Sequence, residues 1–572
     1  MAEKWVYRRF PGQTEQVAER LGLETVTAGI LLNRGLGSIK QIQEYLYGGI
    51  EYLYDPGLLK DMDRACDLIR EGISGGARIR IIGDYDVDGI MASYILKRGL
   101  SELGASPDIR IPDRIRDGYG INVSMIREAE KDGVNLIITC DNGISAEEAV
   151  REAAARGITV IVTDHHDVNS IPPADAVIDP KRPDDAYPNK NLCGAAVAWK
   201  LIRALGGDES FDLLQYAGFA TVCDVMDLTG ENRILVKEAL SRLRTTDNKG
   251  LRILAEVCGS NISQTDTYRI GFILGPCLNA SGRLDTAMRA LDLLEAEDDG
   301  HARMIAGSLK NLNESRKELT VQAETEAAAL IEAEGRQQDR VLVVFLPDVH
   351  ESIAGIAAGR IREKYCRPVF ILTRGRDAVK GSGRSVEVYN MSEELGKVSG
   401  FLVKYGGHPM AAGLTILEEN IPAFREALNR ECTLTEEDLV PKICLDAIVG
   451  VSDLSEKLVT ELQLMEPFGK GNPRPKFGEK NVLCEHPKLF GAKSSLLKMR
   501  LRSAEMPGTA SGYGSVVNGI RNRRQTDAIC FRDAEALYER VMENPVLSII
   551  YEAEFDEYMG DRRLQAVITG FR

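Results

Sequence analysis

The apolar run Ile79 to Ile82 is followed at once by Gly-Asp-Tyr-Asp-Val-Asp-Gly (83–89), which sets Asp84, Asp86 and Asp88 at alternate positions. The run is short and isoleucine-rich, and reads as a buried strand. Three carboxylates against its end repel one another. They must take up protons or share a cation, because like charges raise one another's pKa and a bound metal removes that penalty. A calcium loop also has Asp at its positions 1, 3 and 5 and Gly at 6, but it needs Glu at 12 and a helix in front. Position 12 here is Ile95, and the residues in front are strand-like. A solvated acidic turn suits one or two Asp and fits three poorly. The pattern predicts a metal site at the carboxyl end of a strand, where open α/β sheets carry their chemistry.

The pattern then repeats. A helix is expected over 90–103, a strand over 135–140, a helix over 146–156 and a strand over 159–163. Strands alternating with helices of this length imply a largely parallel sheet covered on both faces. The polar residues that follow the later strands are Asp141, before Asn142-Gly143, and Asp164-His165-His166. Right-handed crossovers bring the carboxyl ends of successive parallel strands to one edge. Five Asp and two His converging there are the inventory of a two-metal centre, in which cations about 3.5–4 Å apart orient water and neutralise a phosphoryl group. Asp224, in Cys-Asp-Val-Met-Asp (223–227), is either a further ligand or a helix-end carboxylate.

At 572 residues the chain calls for three or four domains. Its net charge of −15 argues against a general nucleic-acid binder, yet residues 466–502 hold nine Lys and Arg against three Glu, and Arg521, Arg523 and Arg524 follow. A polyanion partner would enter by that end; a mixed-charge soluble face is the competing reading. Eleven cysteines without a Cys-x-x-Cys pair read as buried thiols. No signal-length or membrane-length apolar run is present, so a cytoplasmic protein is expected.

Gly-Asp-Tyr-Asp-Val-Asp-Gly, Asp-Asn-Gly, Asp-His-His and Cys-Asp-Val-Met, in this order, resemble the DHH phosphoesterase superfamily, and within it the RecJ-type single-stranded-DNA exonucleases. The resemblance continues through Gly-Pro-Cys-Leu-Asn-Ala-Ser-Gly-Arg-Leu (275–284), His350 with Gly-Ile-Ala-Ala-Gly-Arg (355–360), Gly-Ser-Gly-Arg-Ser (381–385), Gly-Gly-His-Pro-Met-Ala-Ala-Gly (406–413) and Glu-Pro-Phe-Gly-Lys-Gly-Asn-Pro (466–473). It implies metal ligands drawn from Asp84, Asp86, Asp88, Asp141, His165 and Asp224, with Asp141 as the bridge. Two divalent ions are implied, typically manganese, with magnesium as the alternative; a mixed carboxylate and imidazole shell agrees. The sequence does not divide the first three Asp between the ions, and Asp88, nearest the helix, is the least firmly tied to a ligand role. Asp164 is expected to orient His165, and His166 to meet the scissile phosphate.

Substrate contacts are expected from Arg114 and Tyr119, which follow the second strand, and by resemblance from Arg283, His350, Ser382, Arg384 and His408. Backbone N–H groups at 381–383 and 406–408 are expected to form anion-binding nests. The family usually has Trp and Gly where this chain has Val349 and Ser352, which weakens the transfer around His350.

The resulting architecture is multidomain α/β: an N-terminal helical segment (1–50), a mostly parallel DHH catalytic domain (51–299), a long connecting helix (300–335), a second α/β domain of DHHA1 type (336–440) and a C-terminal OB-type β-barrel (441–572). The implied activity is 5′-to-3′ hydrolysis of single-stranded DNA to mononucleotides, in DNA repair and recombination. Implied partners are single-stranded DNA, a single-strand-binding protein and a helicase, with no membrane and a monomeric chain. Two other readings stay open. One is a superfamily relative acting on oligoribonucleotides or small nucleotides, though such relatives usually lack the C-terminal third. The other is an inactive single-strand-binding scaffold, which would have lost its ligands.

Overall fold

The computed structural model describes residues 3–114, 117–118, 120–206, 210–375, 378–491, 495–503, 525–558 and 561–572. They fall into two compact units: Leu53–Pro441, and Glu3–Tyr52 together with Lys442–Arg572.

The first unit begins with a sheet of five parallel strands in the order Asp108–Arg110, Ile79–Ile82, Leu136–Cys140, Thr159–Thr163, Ala176–Ile178. Ile79–Ile82 and Leu136–Cys140 are buried at every residue, as befits strands covered on both faces. The strand order reverses between Ile79–Ile82 and Leu136–Cys140. Crossovers from these two strands run to opposite faces and leave a crevice beyond their carboxyl ends. Helices Val87–Glu102, Gly194–Gly206 and Ser210–Cys223 pack against one another beside it.

One helix of 35 residues, Asp299–Ala333, leads from this sheet to a second. The second sheet is mixed, in the order Leu402–His408, Ala411–Ile416, Val379–Arg384, Val369–Arg374, Leu342–Phe345, with only the last pair parallel. Gly381 and Gly383 sit inside its central strand, paired on both sides with Leu414 and Leu372, and with Ala412 and Phe370. The expected anion nest at 381–383 is therefore absent: those backbone groups belong to the ladder. A Cβ at Gly381 would come within 2.5 Å of Leu372, and one at Gly383 within 2.4 Å of Met391, so close packing explains the glycines. Gly406, Gly407 and His408 are likewise paired with Gly413, Ala412 and Ala411 and form no nest.

In the second unit, Phe477–Phe490, Leu496–Ser503, Thr526–Cys530, Asp561–Phe571 and Val546–Tyr558 pair in that order, and Val546–Tyr558 pairs back onto Phe477–Phe490 to close a five-stranded barrel. Its core includes Phe477, Leu497, Ile549 and Tyr551 and is shared by Leu23, Ile30, Leu31, Ile42 and Leu46 of the N-terminal segment. The strand Lys4–Tyr7 pairs in parallel with Lys442–Leu445. Among the described residues no helix is long and apolar enough to cross a membrane.

Candidate metal centre

Asp84 lies on the turn that joins Ile79–Ile82 to helix Val87–Glu102 and Asp88 in the first turn of that helix, and both are buried. Asp86 caps that helix, its carboxylate accepting from the N–H groups of Asp88 at 2.9 Å and Gly89 at 3.2 Å. Gly89 is required by close approach, since a Cβ there would stand 2.5 Å from the Asp84 backbone. Asp88 turns the other way. Its two oxygens accept from the N–H groups of Gly194 at 2.6 Å and Ala195 at 2.8 Å, at the start of helix Gly194–Gly206. An N-terminal helix turn favours a carboxylate through its free N–H groups and dipole.

Asp141 has a left-handed backbone, φ 62°, on the turn after Leu136–Cys140. The turn is stapled by buried Asn142, whose amide donates to Ile82 O at 3.0 Å and Cys140 O at 2.9 Å and accepts from Ile121 N at 3.1 Å. A Cβ on Gly194 would come within 2.6 Å of the Asp141 Cβ, so glycine there lets the helix close over the site.

Three groups of side chains each place their ligand atoms within 4.8 Å of one another: Asp84, Asp86 and Asp141; Asp88, His165 and Asp224; and Asp141, His165 and His166. His165 Nε2 lies 3.0 Å from Asp141, 3.6 Å from Asp88 and 3.9 Å from Asp224. Asp84 and Asp86 share one side with Asp141, while Asp88 faces His165 and Asp224 on the other.

The electrostatics agree with a cation site. Burial, followed by repulsion from Asp86, pushes Asp84 well above the carboxylate range; burial and the charges of Asp88, Asp86 and Asp84 do the same to Asp141. Burial, then Asp88 and Asp86, lift Asp224 to about 8, and burial holds His165 below the ordinary imidazole value. Asp84 Oδ1 and His165 Nδ1 are buried with no hydrogen-bond partner. Oxygen donors that repel one another beside a neutral imidazole fit divalent cations, which would offset that repulsion.

Asp164 was expected to orient His165; the structure gives it to His166. Its Oδ1 lies 2.7 Å from His166 Nδ1 and accepts from the His165 and His166 backbone N–H groups, while Oδ2 accepts from Ile144 N at 2.9 Å. The physical reason is the turn itself, which folds residue 166 back over residue 164 and sends the His165 ring inward to the carboxylates. Burial alone would lower the His166 pKa, but the hydrogen bond and charge of Asp164 outweigh it and raise it to about 9.

Four of the expected substrate residues, Arg283, His350, Ser382 and Arg384, gather at the first turns of helix Glu351–Tyr365. Arg283 donates to Ser352 O at 3.1 Å. His350 caps the helix, with Nδ1 2.7 Å from Ser352 Oγ, so the serine at this departure from the family pattern engages the histidine. Ser382 and Arg384 share one face of their strand, and the Arg384 guanidinium lies so near Gly355 that a Cβ there would stand 2.9 Å from Nη2. Arg114 covers the Tyr85 ring, its guanidinium 4.8 Å from the centroid. Burial and the charges of Arg114 and Arg316 lower Arg283 to about 10; burial and the charges of Arg362 and Arg114 lower Arg384. An anion set among these mutually repelling guanidiniums would relieve their repulsion. His408 stands apart from this group, with Nδ1 3.2 Å from Asp167. Tyr119 lies outside the described residues.

Sequence reasoning passed over Asn279, whose Oδ1 accepts from Val87 N at 3.1 Å, and the Gly194–Ala195 amides that hold Asp88. Asn279 was visible only as part of a motif, and the small-residue run Gly-Ala-Ala (194–196) was the available sign of a close approach.

Comparison with known families places this geometry. Residues 78–222 match the DHH family, N-terminal domain, residues 338–433 the DHHA1 domain, and residues 445–570 the RecJ OB domain. Among curated relatives, the single-stranded-DNA-specific exonuclease RecJ of Bacillus subtilis is 33% identical over 99% of this chain and 70% of its own length. That of Escherichia coli is 31% identical over 94% of both. The crystal structure of RecJ in complex with Mn2+ from Thermus thermophilus superposes with a TM-score of 0.81 at 28% identity, covering 100% of this chain and 79% of that one. A second structure of that protein, with Mg2+, gives 0.75 at 27% identity over 100% of this chain and 78% of that one. Matched along 99% of its length in sequence and all of it in fold, this chain belongs to the RecJ family of single-stranded-DNA-specific exonucleases.

Proposed function

We propose that the chain hydrolyses single-stranded DNA from its 5′ end to mononucleotides, using two divalent cations held by Asp84, Asp86, Asp88, Asp141, His165 and Asp224. The observation that carries this reading is the pair of ligand groups, Asp84–Asp86–Asp141 and Asp88–His165–Asp224, set side by side around Asp141. Bound there, two cations supply an activated water and neutralise phosphoryl charge. The chain's own residues do the rest. Asp164 holds His166 by its Nδ1 hydrogen bond and keeps the ring protonated, and the imidazolium serves as the acid toward a phosphoryl or leaving oxygen. Arg283 and Arg384, with Arg114 near both, hold the phosphates of the terminal nucleotide; Ser382 and His350 border that site, and His408 meets the strand farther along.

The same reading assigns residues 51–299 to chemistry, 336–440 to holding the strand end and 441–572 to tracking single strands, as OB barrels do with basic and aromatic side chains. A monomer suffices for this division. Because an exonuclease confined to single strands needs unwound substrate, the reading places the chain beside a helicase and a single-strand-binding protein in DNA repair and recombination. End-labelled single-stranded DNA, RNA and duplex incubated with manganese test it. Labelled mononucleotide should appear first from the 5′ label of single-stranded DNA. Equal rates on RNA, or earliest release from the 3′ label, would overturn the substrate or the polarity.

A further inference from the structure

Two thiols outside the metal centre stand in contact. Cys258, at the end of helix Lys249–Val257, lies with Sγ 3.6 Å from Sγ of Cys277, on helix Gly275–Leu284. Cys277 is buried and accepts from Asn313 Nδ2 at 3.4 Å, while Cys258 is partly exposed beside exposed Gly259. The Lys310 ammonium donates to the Val257 carbonyl at 2.9 Å, one residue from Cys258. The Cys277 S–H beside it lowers the Cys258 thiol to about 7, with Lys310 and Lys317 adding to the effect against burial. A thiolate that is partly exposed, flanked by cations and in contact with a second sulfur is the arrangement of a peroxide-reactive pair.

The helix that carries Cys277 also serves the active site. Two residues on, Asn279 accepts from Val87 N at the start of the helix that follows the Gly83–Asp86 turn, and Arg283 belongs to the proposed anion site. Gly282 abuts the Tyr85 carbonyl, where a Cβ would stand at 2.0 Å, so this helix has no slack toward the metal turn.

We propose that Cys258 and Cys277 form a thiol switch, which a hydroperoxide closes to a disulfide that shifts helix Gly275–Leu284 and turns hydrolysis down. The Cys258 thiolate attacks the terminal peroxide oxygen; the O–O bond breaks, sulfur is oxidised to a sulfenic acid, and the alkoxide or hydroxide that leaves takes a proton from solvent to become an alcohol or water. The Cys277 sulfur then attacks the Cys258 sulfur, the S–O bond breaks, and water leaves with the Cys277 proton. The two sulfurs must close to about 2.05 Å, and the movement is passed to Asn279 and Arg283.

The full chain is treated with hydrogen peroxide in chelator, quenched with catalase, alkylated, and either digested unreduced for peptide mapping or assayed on single-stranded DNA with magnesium. The expected result is a 258–277 linked peptide and a rate roughly tenfold lower or less, restored by dithiothreitol. Cys258→Ser and Cys277→Ser should form no link and keep their rate after peroxide. No linked peptide under conditions that oxidise other cysteines, a linked peptide with unchanged rate, or equal inactivation of Cys258→Ser would each overturn the proposal. The loss of rate rests on the nuclease reading. An untreated chain that hydrolyses nothing would refute that reading, and the peptide map would still decide whether the thiols pair.

Discussion

His166 Nδ1 lies 2.7 Å from Asp164 Oδ1, whereas His165 meets the same carboxylate only through its backbone N–H. The two adjacent histidines are therefore set to opposite tasks: His165 is kept neutral among carboxylates and His166 charged at the edge of the crevice.

The pH dependence follows with a definite sign. His166 is raised from 6.5 to about 9 in the fold, burial being outweighed by Asp164. A group whose folded pKa is raised contributes stability that is fully present below the unfolded value and lost as pH rises through the folded one, so in metal-free protein this contribution should fade between about pH 6.5 and 9. Asp164→Asn should remove it, return the His166 titration toward ordinary imidazole in a histidine NMR titration, and lower hydrolysis about 100-fold. An unmoved titration in the variant would separate His166 from Asp164.

Asp141 shares one ligand group with Asp84 and Asp86 and lies 3.0 Å from His165 of the other. Its left-handed backbone suits Asn as well as Asp, so Asp141→Asn tests charge with little change of shape. Hydrolysis should fall by about 10³-fold or more, with single-strand affinity retained. Because Asp141 is crowded by Asp88, Asp86 and Asp84, the metal-free variant should melt at a higher temperature than the parent. Activity that survives with manganese would remove Asp141 from the centre.

Much of this site was legible in the sequence because parallel strands fix where their ends go. Asp84, Asp141 and Asp164 follow apolar runs that the structure shows as strands. What was not legible depends on side-chain direction or on distant backbone. The partner of Asp164 is set by a turn that reverses over two residues, and the holder of Asp88 is an amide pair more than 100 residues away. The glycine motifs at 381–383 and 406–408 misled for a related reason: Gly signals either a nest or a ladder packed too tightly for a Cβ, and only the pairing distinguishes them. The basic excess after residue 466 is also partly spent within the barrel, where Arg502 meets Glu485 at 2.7 Å and Arg474 lies among Glu466, Glu552 and Glu554. Lys493, Arg521, Arg523 and Arg524 lie outside the described residues.

A structural prediction concerns Lys200, which with Glu231 forms a fully buried pair at 2.7 Å, tied to Tyr54 O at 2.5 Å and to the Tyr187 hydroxyl. Lys200→Met leaves Glu231 buried without its cation and should cost about 3–5 kcal/mol by chemical denaturation. Adding Glu231→Gln, which keeps an acceptor for Tyr54 N and Tyr187 OH, should recover part of that loss. Equal stability of the single and double variants would mean that the charge is not what matters there.

The role of the barrel can be tested only if the cut respects the folding units. Removing 442–572 alone would strip the cover from Leu23, Ile30, Leu31, Ile42 and Leu46, which share the barrel core, and expose a large apolar face on the N-terminal segment. Residues 53–441 form a compact unit and keep every described member of the metal centre and the anion site. That fragment should therefore hydrolyse dinucleotides at a rate within a few-fold of the full chain. It should bind long single strands about 10- to 100-fold more weakly, because base stacking contributes roughly 1–3 kcal/mol per base where an OB barrel supplies it. Fluorescence anisotropy with labelled oligonucleotides of increasing length gives the comparison. The affinity gap should open with length and narrow as salt rises, since contacts to phosphate weaken with ionic strength. A gap that is the same for dinucleotides and long strands would mean that the second unit supports the fold of the first and does not hold the strand.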